Sequence, residues 1–96
     1  MEEHAKKIAE LLKTLANENR LMIFCSLIDG SKNVGEIAKK VCHISQPALS
    51  QHLALLKAHG ILDSQKNGMN TVYFIVDDRV REIIHVLRKH YCEDNI

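Results

Sequence analysis

A chain of 96 residues in which 46% of side chains are apolar supports one folded domain, residues 1–96, and leaves no length for a second core. That composition excludes general disorder, and no apolar run nears the ~20 residues of a membrane span, so no membrane partner is expected. Net charge is only +1, but residues 31–60 carry four basic and one acidic side chain between two slightly acidic thirds, so any polyanion contact belongs there.

The start, MEEHAKK, has no signal-peptide apolar region, which makes the cytoplasm the expected compartment. From Glu2 to about Ala16, apolar residues at Ala5, Ile8, Leu12 and Leu15 predict a helix. Asn17 interrupts it. A second helix follows from Glu18 to Ile28, and its LMIFCSLI run is apolar nearly all round, the mark of a central buried element. Asp29-Gly30-Ser31 reads as a turn.

The segment VGEIAKKVCHISQPALSQHLALLKAHG, Val34 to Gly60, carries the functional signal. It reads as a short helix, a tight turn and a longer helix. Ser45 is a suitable N-cap, Pro47 falls in the first turn, and Gly60 stands where a left-handed residue ends a helix. At ~100° per residue Leu49, Leu53 and Leu56 share an inward face. Gln46, Pro47, Ser50 and Gln51 lie away from it and offer hydrogen-bonding groups suited to base edges and phosphates. An ordinary amphipathic helix pair has the same pattern; the next element separates the two readings.

There the period changes to two. Ile61–Lys66 and Thr71–Val76 flank the polar tip Asn67-Gly68-Met69-Asn70, a β-hairpin pattern. Asp77 to Cys92 returns to helix, with Val80, Ile83, Ile84, Leu87 and Tyr91 on one stripe. The order α-α-α-α-β-β-α, mainly helical with a hairpin wing, is a winged helix-turn-helix. It predicts contact with double-stranded DNA through Gln46, Pro47, Ser50 and Gln51. Lys57, Lys66 and Asn67 are the expected backbone contacts. His52, beside Gln51, fits either DNA contact or packing. Apolar stripes on the first and last helices exceed what one small core needs and predict a homodimer.

The stretches LLKTLANENRLMIFCSL, VGEIAKKV, ISQPALSQHLALLKAHGIL and NTVYFIV together resemble the ArsR/SmtB family of small dimeric bacterial transcriptional repressors, from about Ile8 to Cys92. The resemblance implies dimerisation through the first and last helices, an operator of two half-sites, and release of DNA when an inducer binds. It also implies a structural or backbone-contacting role for Arg20, which reads equally well as a solvated surface arginine.

The resemblance implies three candidate inducer sites. One metal-sensing subgroup carries a Cys-x-Cys pair at the third helix, where this chain has Asn33-Val34-Gly35 and no thiol. A zinc-sensing subgroup uses both ends of the last helix; His90 and Glu93 resemble its second half, but Arg79 stands where the first half needs histidine. A third subgroup, which senses reactive sulfur or oxidants, carries cysteines in contexts like RLMIFC and HYC, here Cys25 and Cys92. Cys92 lies ~120° from Val80 on the last helix, off the apolar stripe and beside Lys89 and His90, whose charges favour the reactive thiolate. Cys25 alone reads as readily as a small core residue, and Cys42 as incidental.

The leading expectation is a repressor released by modification or bridging of Cys25 and Cys92. A zinc-responsive repressor and a DNA binder without inducer are the alternatives. With no nucleophile–base arrangement, phosphate-cradling loop or complete metal site in the sequence, neither an enzyme nor a cofactor is expected.

Overall fold

The computed structural model describes residues 1–91. The elements are α1 (Glu2–Leu15), α2 (Glu18–Leu27), β1 (Lys32–Asn33), α3 (Val34–Lys40), α4 (Gln46–Ala58), β2 (Leu62–Asn67), β3 (Asn70–Ile75) and α5 (Asp78–Tyr91). The sequence-derived order is therefore found, with helix ends within about a residue and one addition. The addition is β1, which pairs antiparallel with β3, Lys32 opposite Tyr73 and Asn33 opposite Val72. Two residues are too few for an alternating pattern, so the sequence showed only the turn before them. The sheet order is β1-β3-β2, a winged helix-turn-helix with a three-stranded wing.

Local chemistry sets the boundaries. The Asn17 side chain accepts from Arg20 N at 3.1 Å and starts α2. Asn33 and Glu36 form a capping box at α3, Asn33 Oδ1 accepting from Glu36 N at 2.8 Å and Glu36 Oε1 from Asn33 N at 2.9 Å. Ser45 Oγ accepts from Ala48 N at 3.2 Å, with Pro47 in the first turn of α4. At the far end Gly60 turns left-handed (φ +74°). Gly60 N donates to Lys57 O and Ile61 N to Leu56 O, both at 3.0 Å. These two bonds complete a Schellman motif and aim the chain into β2.

The wing tip is tighter than the sequence indicated. Asn67 and Asn70 pair across the hairpin, so the turn is Gly68-Met69 alone, with Gly68 at φ +68°.

The core centres on α2. Ile23 and Phe24 are fully buried, and α2 touches α3, β3 and α5. Leu15, Ile37, Leu53, Ile61, Ile75 and Ile84 close on them from the other elements. Each such side chain contributes about 1.5–3 kcal/mol relative to exposure. The stripe on α5 divides: Val80 and Ile84 are buried, whereas Leu87 is 43% and Tyr91 80% exposed. On α1, Ile8 and Leu12, one turn apart, are 56% and 48% exposed. No helix among the described residues is long and apolar enough to cross a membrane.

Candidate nucleic-acid interface

Helix α4 packs against α3 and β2. Leu49, Leu53 and Leu56 are buried beneath it, while Gln46, Pro47, Ser50, Gln51 and Ala54 are exposed. The leucines fix which face looks outward, because rotating the helix would bring polar groups into the core without partners. The polar amide and hydroxyl groups of the first two turns thus line one open surface, at the end of the helix whose N–H dipoles favour phosphate.

The hairpin places Lys66, Asn67 and Met69 in solvent beyond that surface. Every ion pair between described residues lies at α5: Arg79 with Asp77, Arg81 with Asp78, and Arg88 with Asp29. Lys32, Lys39, Lys40 and Lys57 of the basic middle third enter none of them, nor does Lys66 on the wing, which leaves these charges available to an anion. Lys57 Nζ donates to Ser64 Oγ at 2.7 Å, a tie between α4 and β2 that the sequence did not reveal. His43 Nε2 and Asn19 Oδ1, 2.7 Å apart, join the turn before α4 to the start of α2.

Arg20 is not a solvated surface arginine. It is half-buried, its Nη1 donates to Thr14 O at 3.0 Å, and its Nε donates to His52 Nδ1 at 3.3 Å. Burial first, and the Arg20 charge second, hold the His52 imidazole below its ordinary pKa. His52 is itself half-buried, unlike Ser50 and Gln51, so packing is the reading with a contact behind it.

Of the sensor positions, Cys25 is half-buried on α2 and packs at the edge of the core, and Cys42 is exposed in the turn before α4. Cys92 and Glu93 lie outside the described residues. The first half of the zinc pattern is otherwise engaged. Asp77 Oδ1 accepts from Arg79 N at 2.9 Å and Nε at 3.1 Å, and Oδ2 from Arg79 Nη2 at 2.7 Å. The Arg79 side chain, through these bonds, holds the Asp77 carboxyl below the usual carboxylate range. Asp77 thus serves as the N-cap of α5. His90 is exposed, and among the described residues no three His, Cys, Asp or Glu side chains cluster as a metal site.

Residues 17–64 match the family model described as bacterial regulatory protein, arsR family. The chain is 39% identical over 95 residues to the transcriptional activator HlyU of Vibrio cholerae, covering 99% of this chain and 87% of that protein. It is 39% identical over 98 residues to a biofilm growth-associated repressor of Agrobacterium fabrum, covering 100% and 83%. Reduced HlyU from Vibrio cholerae superposes with a TM-score of 0.88 over 96% of each chain. The homodimeric winged helix-turn-helix DNA-binding domain of Mb0332 from Mycobacterium bovis superposes at 0.76, with 25% identity over 96% of this chain and 84% of that one.

Proposed function

The chain belongs to the arsR family of bacterial regulatory proteins, and from that premise we propose a cytoplasmic, single-domain repressor that binds operator DNA as a homodimer and is released when Cys25 and Cys92 are modified or bridged. The relatives are transcriptional regulators, not enzymes, and so is this protein. The observation that carries the DNA reading is the division of α4 into a buried leucine face and an exposed face of Gln46, Pro47, Ser50 and Gln51. In this reading those side chains meet base edges and phosphates, while Lys57, Lys66 and Asn67 hold the register on the backbone.

The dimer is supported by the apolar side chains left open on α1 and α5, Ile8, Leu12, Val86, Leu87 and Tyr91, and by the homodimeric relative Mb0332. The thiol switch is supported by the partial burial of Cys25 on the core helix and by the matched contexts of Cys25 and Cys92. A modified thiol at Cys25 occupies more volume than packed surroundings accept without shifting, and α2 touches both α3 and α5. Bridging two thiols delivers two electrons and two protons to the oxidant. The modification acts only if it favours the DNA-incompetent geometry, typically by about 1–3 kcal/mol, or five- to 150-fold in affinity.

The test is operator binding by purified protein before and after treatment with persulfide or peroxide, with mass spectrometry of the thiols. Native protein is expected to release DNA. Cys25→Ser and Cys92→Ser are each expected to bind and fail to release, while Cys42→Ser still responds. A double variant that responds as the native protein does refutes thiol sensing at this pair. Zinc-dependent release abolished by His90→Ala would replace it with metal sensing.

A further inference from the structure

We propose that His52 is a positioning residue rather than a reader of DNA, and that the Arg20–His52 hydrogen bond fixes the pose of α4 against the end of α1. The proposal rests on α4 being the reading helix. Arg20 is held at three points: its backbone N on Asn17 Oδ1 at 3.1 Å, Nη1 on Thr14 O at 3.0 Å, and Nε on His52 Nδ1 at 3.3 Å. Thr14 belongs to the last turn of α1, where carbonyls lack a partner within the helix. One guanidinium therefore joins the end of α1, the start of α2 and the middle of α4.

The leucines beneath α4 do a different job. Burial of Leu49, Leu53 and Leu56 sets which face turns inward, but being non-directional it discriminates small slides and rotations of the helix less sharply than a directional bond does. A hydrogen bond weakens steeply with angle and distance, so the Arg20–His52 contact selects one pose. Base readout needs that selection, because paired hydrogen bonds to a base edge tolerate little misplacement of Gln51. Binding to phosphates without sequence preference tolerates far more.

The bond also requires a neutral imidazole. Accepting at Nδ1 puts the ring proton on Nε2; a second proton would set donor against donor and charge against charge. Arg20 on α2 supplies the one charge that acts on His52. From α1 the Thr14 carbonyl accepts from the same guanidinium, and within α4 the residues a turn from His52, Ala48, Leu49, Leu55 and Leu56, are uncharged. Among the described residues, neither α3 nor β2, the elements packed on α4, adds a charge. Burial and the Arg20 field both favour the neutral ring, so the tie is closed at neutral pH and opens in acid.

Operator and non-specific DNA titrations of His52→Ala, His52→Asn, Arg20→Gln and the Ala/Gln double variant, from about pH 5 to 8, test this. His52→Ala and Arg20→Gln should each lose roughly five- to tenfold in operator affinity at neutral pH, the worth of one hydrogen bond. The double variant should lose no more than either single, and non-specific binding should hold. Native protein should lose operator affinity in acid, below the ordinary histidine range. His52→Asn keeps an acceptor near the Nδ1 position without titrating, so it should bind within about twofold of native and flatten that pH profile. If His52→Asn is as weak as His52→Ala at neutral pH, the imidazole itself touches DNA and the proposal is overturned. Additive losses, or equal losses of operator and non-specific binding alongside a lowered Tm, overturn it too. Gln51→Ala run in parallel separates the premise: unchanged base preference there refutes α4 as reader, whereas altered preference with an unaffected His52→Ala refutes the positioning role alone.

Discussion

Replacing Leu87 by glutamate probes the proposed dimer at the apolar surface that α5 leaves open. Leu87 is 43% exposed in the single chain. Fully burying a leucine contributes about 1.5–3 kcal/mol, so covering the remaining two fifths contributes about 1 kcal/mol. Twofold symmetry repeats it, giving about 2 kcal/mol for the pair, or roughly a thirtyfold rise in the dimer Kd for Leu87→Ala. Glutamate loses the same area and adds an unpaired carboxylate to a drying interface, raising the total above about 3 kcal/mol, more than a hundredfold. In the separated chain the carboxylate can reach water, but the covered three fifths of the leucine is lost there too, about 1–2 kcal/mol by the same bookkeeping, so the Tm extrapolated to monomer should fall by several degrees. Sedimentation equilibrium across a concentration series reads the dimer constant, and titration of a full operator reads DNA affinity. Both should fall together, because each half-site contact raises the effective concentration of the other. An unchanged dimer constant, or a monomer that binds the full operator with native affinity, refutes the reasoning.

Other outcomes follow from the same geometry. Gln51→Ala should cost about 1–3 kcal/mol of operator affinity and relax base preference, whereas Lys66→Ala should weaken all sequences alike and lower the salt slope by about one; titrations at several salt concentrations check both. Asn33→Ala removes the capping box of α3 and should destabilise the protein by about 1 kcal/mol in urea unfolding, with the β1–β3 backbone pairing retained. Asp77 has a folded pKa held low, chiefly by the Arg79 side chain, so it contributes stability above the ordinary carboxylate value of about 3.9. That contribution is lost as pH falls through the lowered folded value. Asp77→Ala should therefore lower neutral-pH stability by about 1 kcal/mol and make acid unfolding less steep, measured by urea midpoints across pH.

The helices and the hairpin were legible in the chain because their signals are local. Period and caps act within a few residues, as with Ser45, Pro47 and Gly60 around α4. The exposed polar face of that helix followed from its leucine spacing alone. What escaped has a physical reason in each case. β1 is two residues long and exists only because β3 is there to pair with it. The Arg20–His52 bond spans 32 positions and His43–Asn19 spans 24, distances over which no periodicity carries information. The α5 stripe looked uniform because spacing reports a shared face and not what covers it; Val80 finds the core and Tyr91 finds solvent.

Asn33 is at once a strand residue opposite Val72 and the cap of α3, so the wing and the helix pair share one joint. The opposite end of the wing, Gly68-Met69, has nothing attached to it, and Met69 is 98% exposed. Growth of the chain is consequently lopsided. Residues added at the tip lengthen the hairpin and change how far it reaches without disturbing any register. A single residue added between Lys32 and Val34 flips which side of β1 faces inward, or turns α3 by ~100°, and carries the misalignment into α4. The molecule can thus acquire a longer wing by insertion at one end of its sheet, while the joint at Asn33 admits substitution but no change in length.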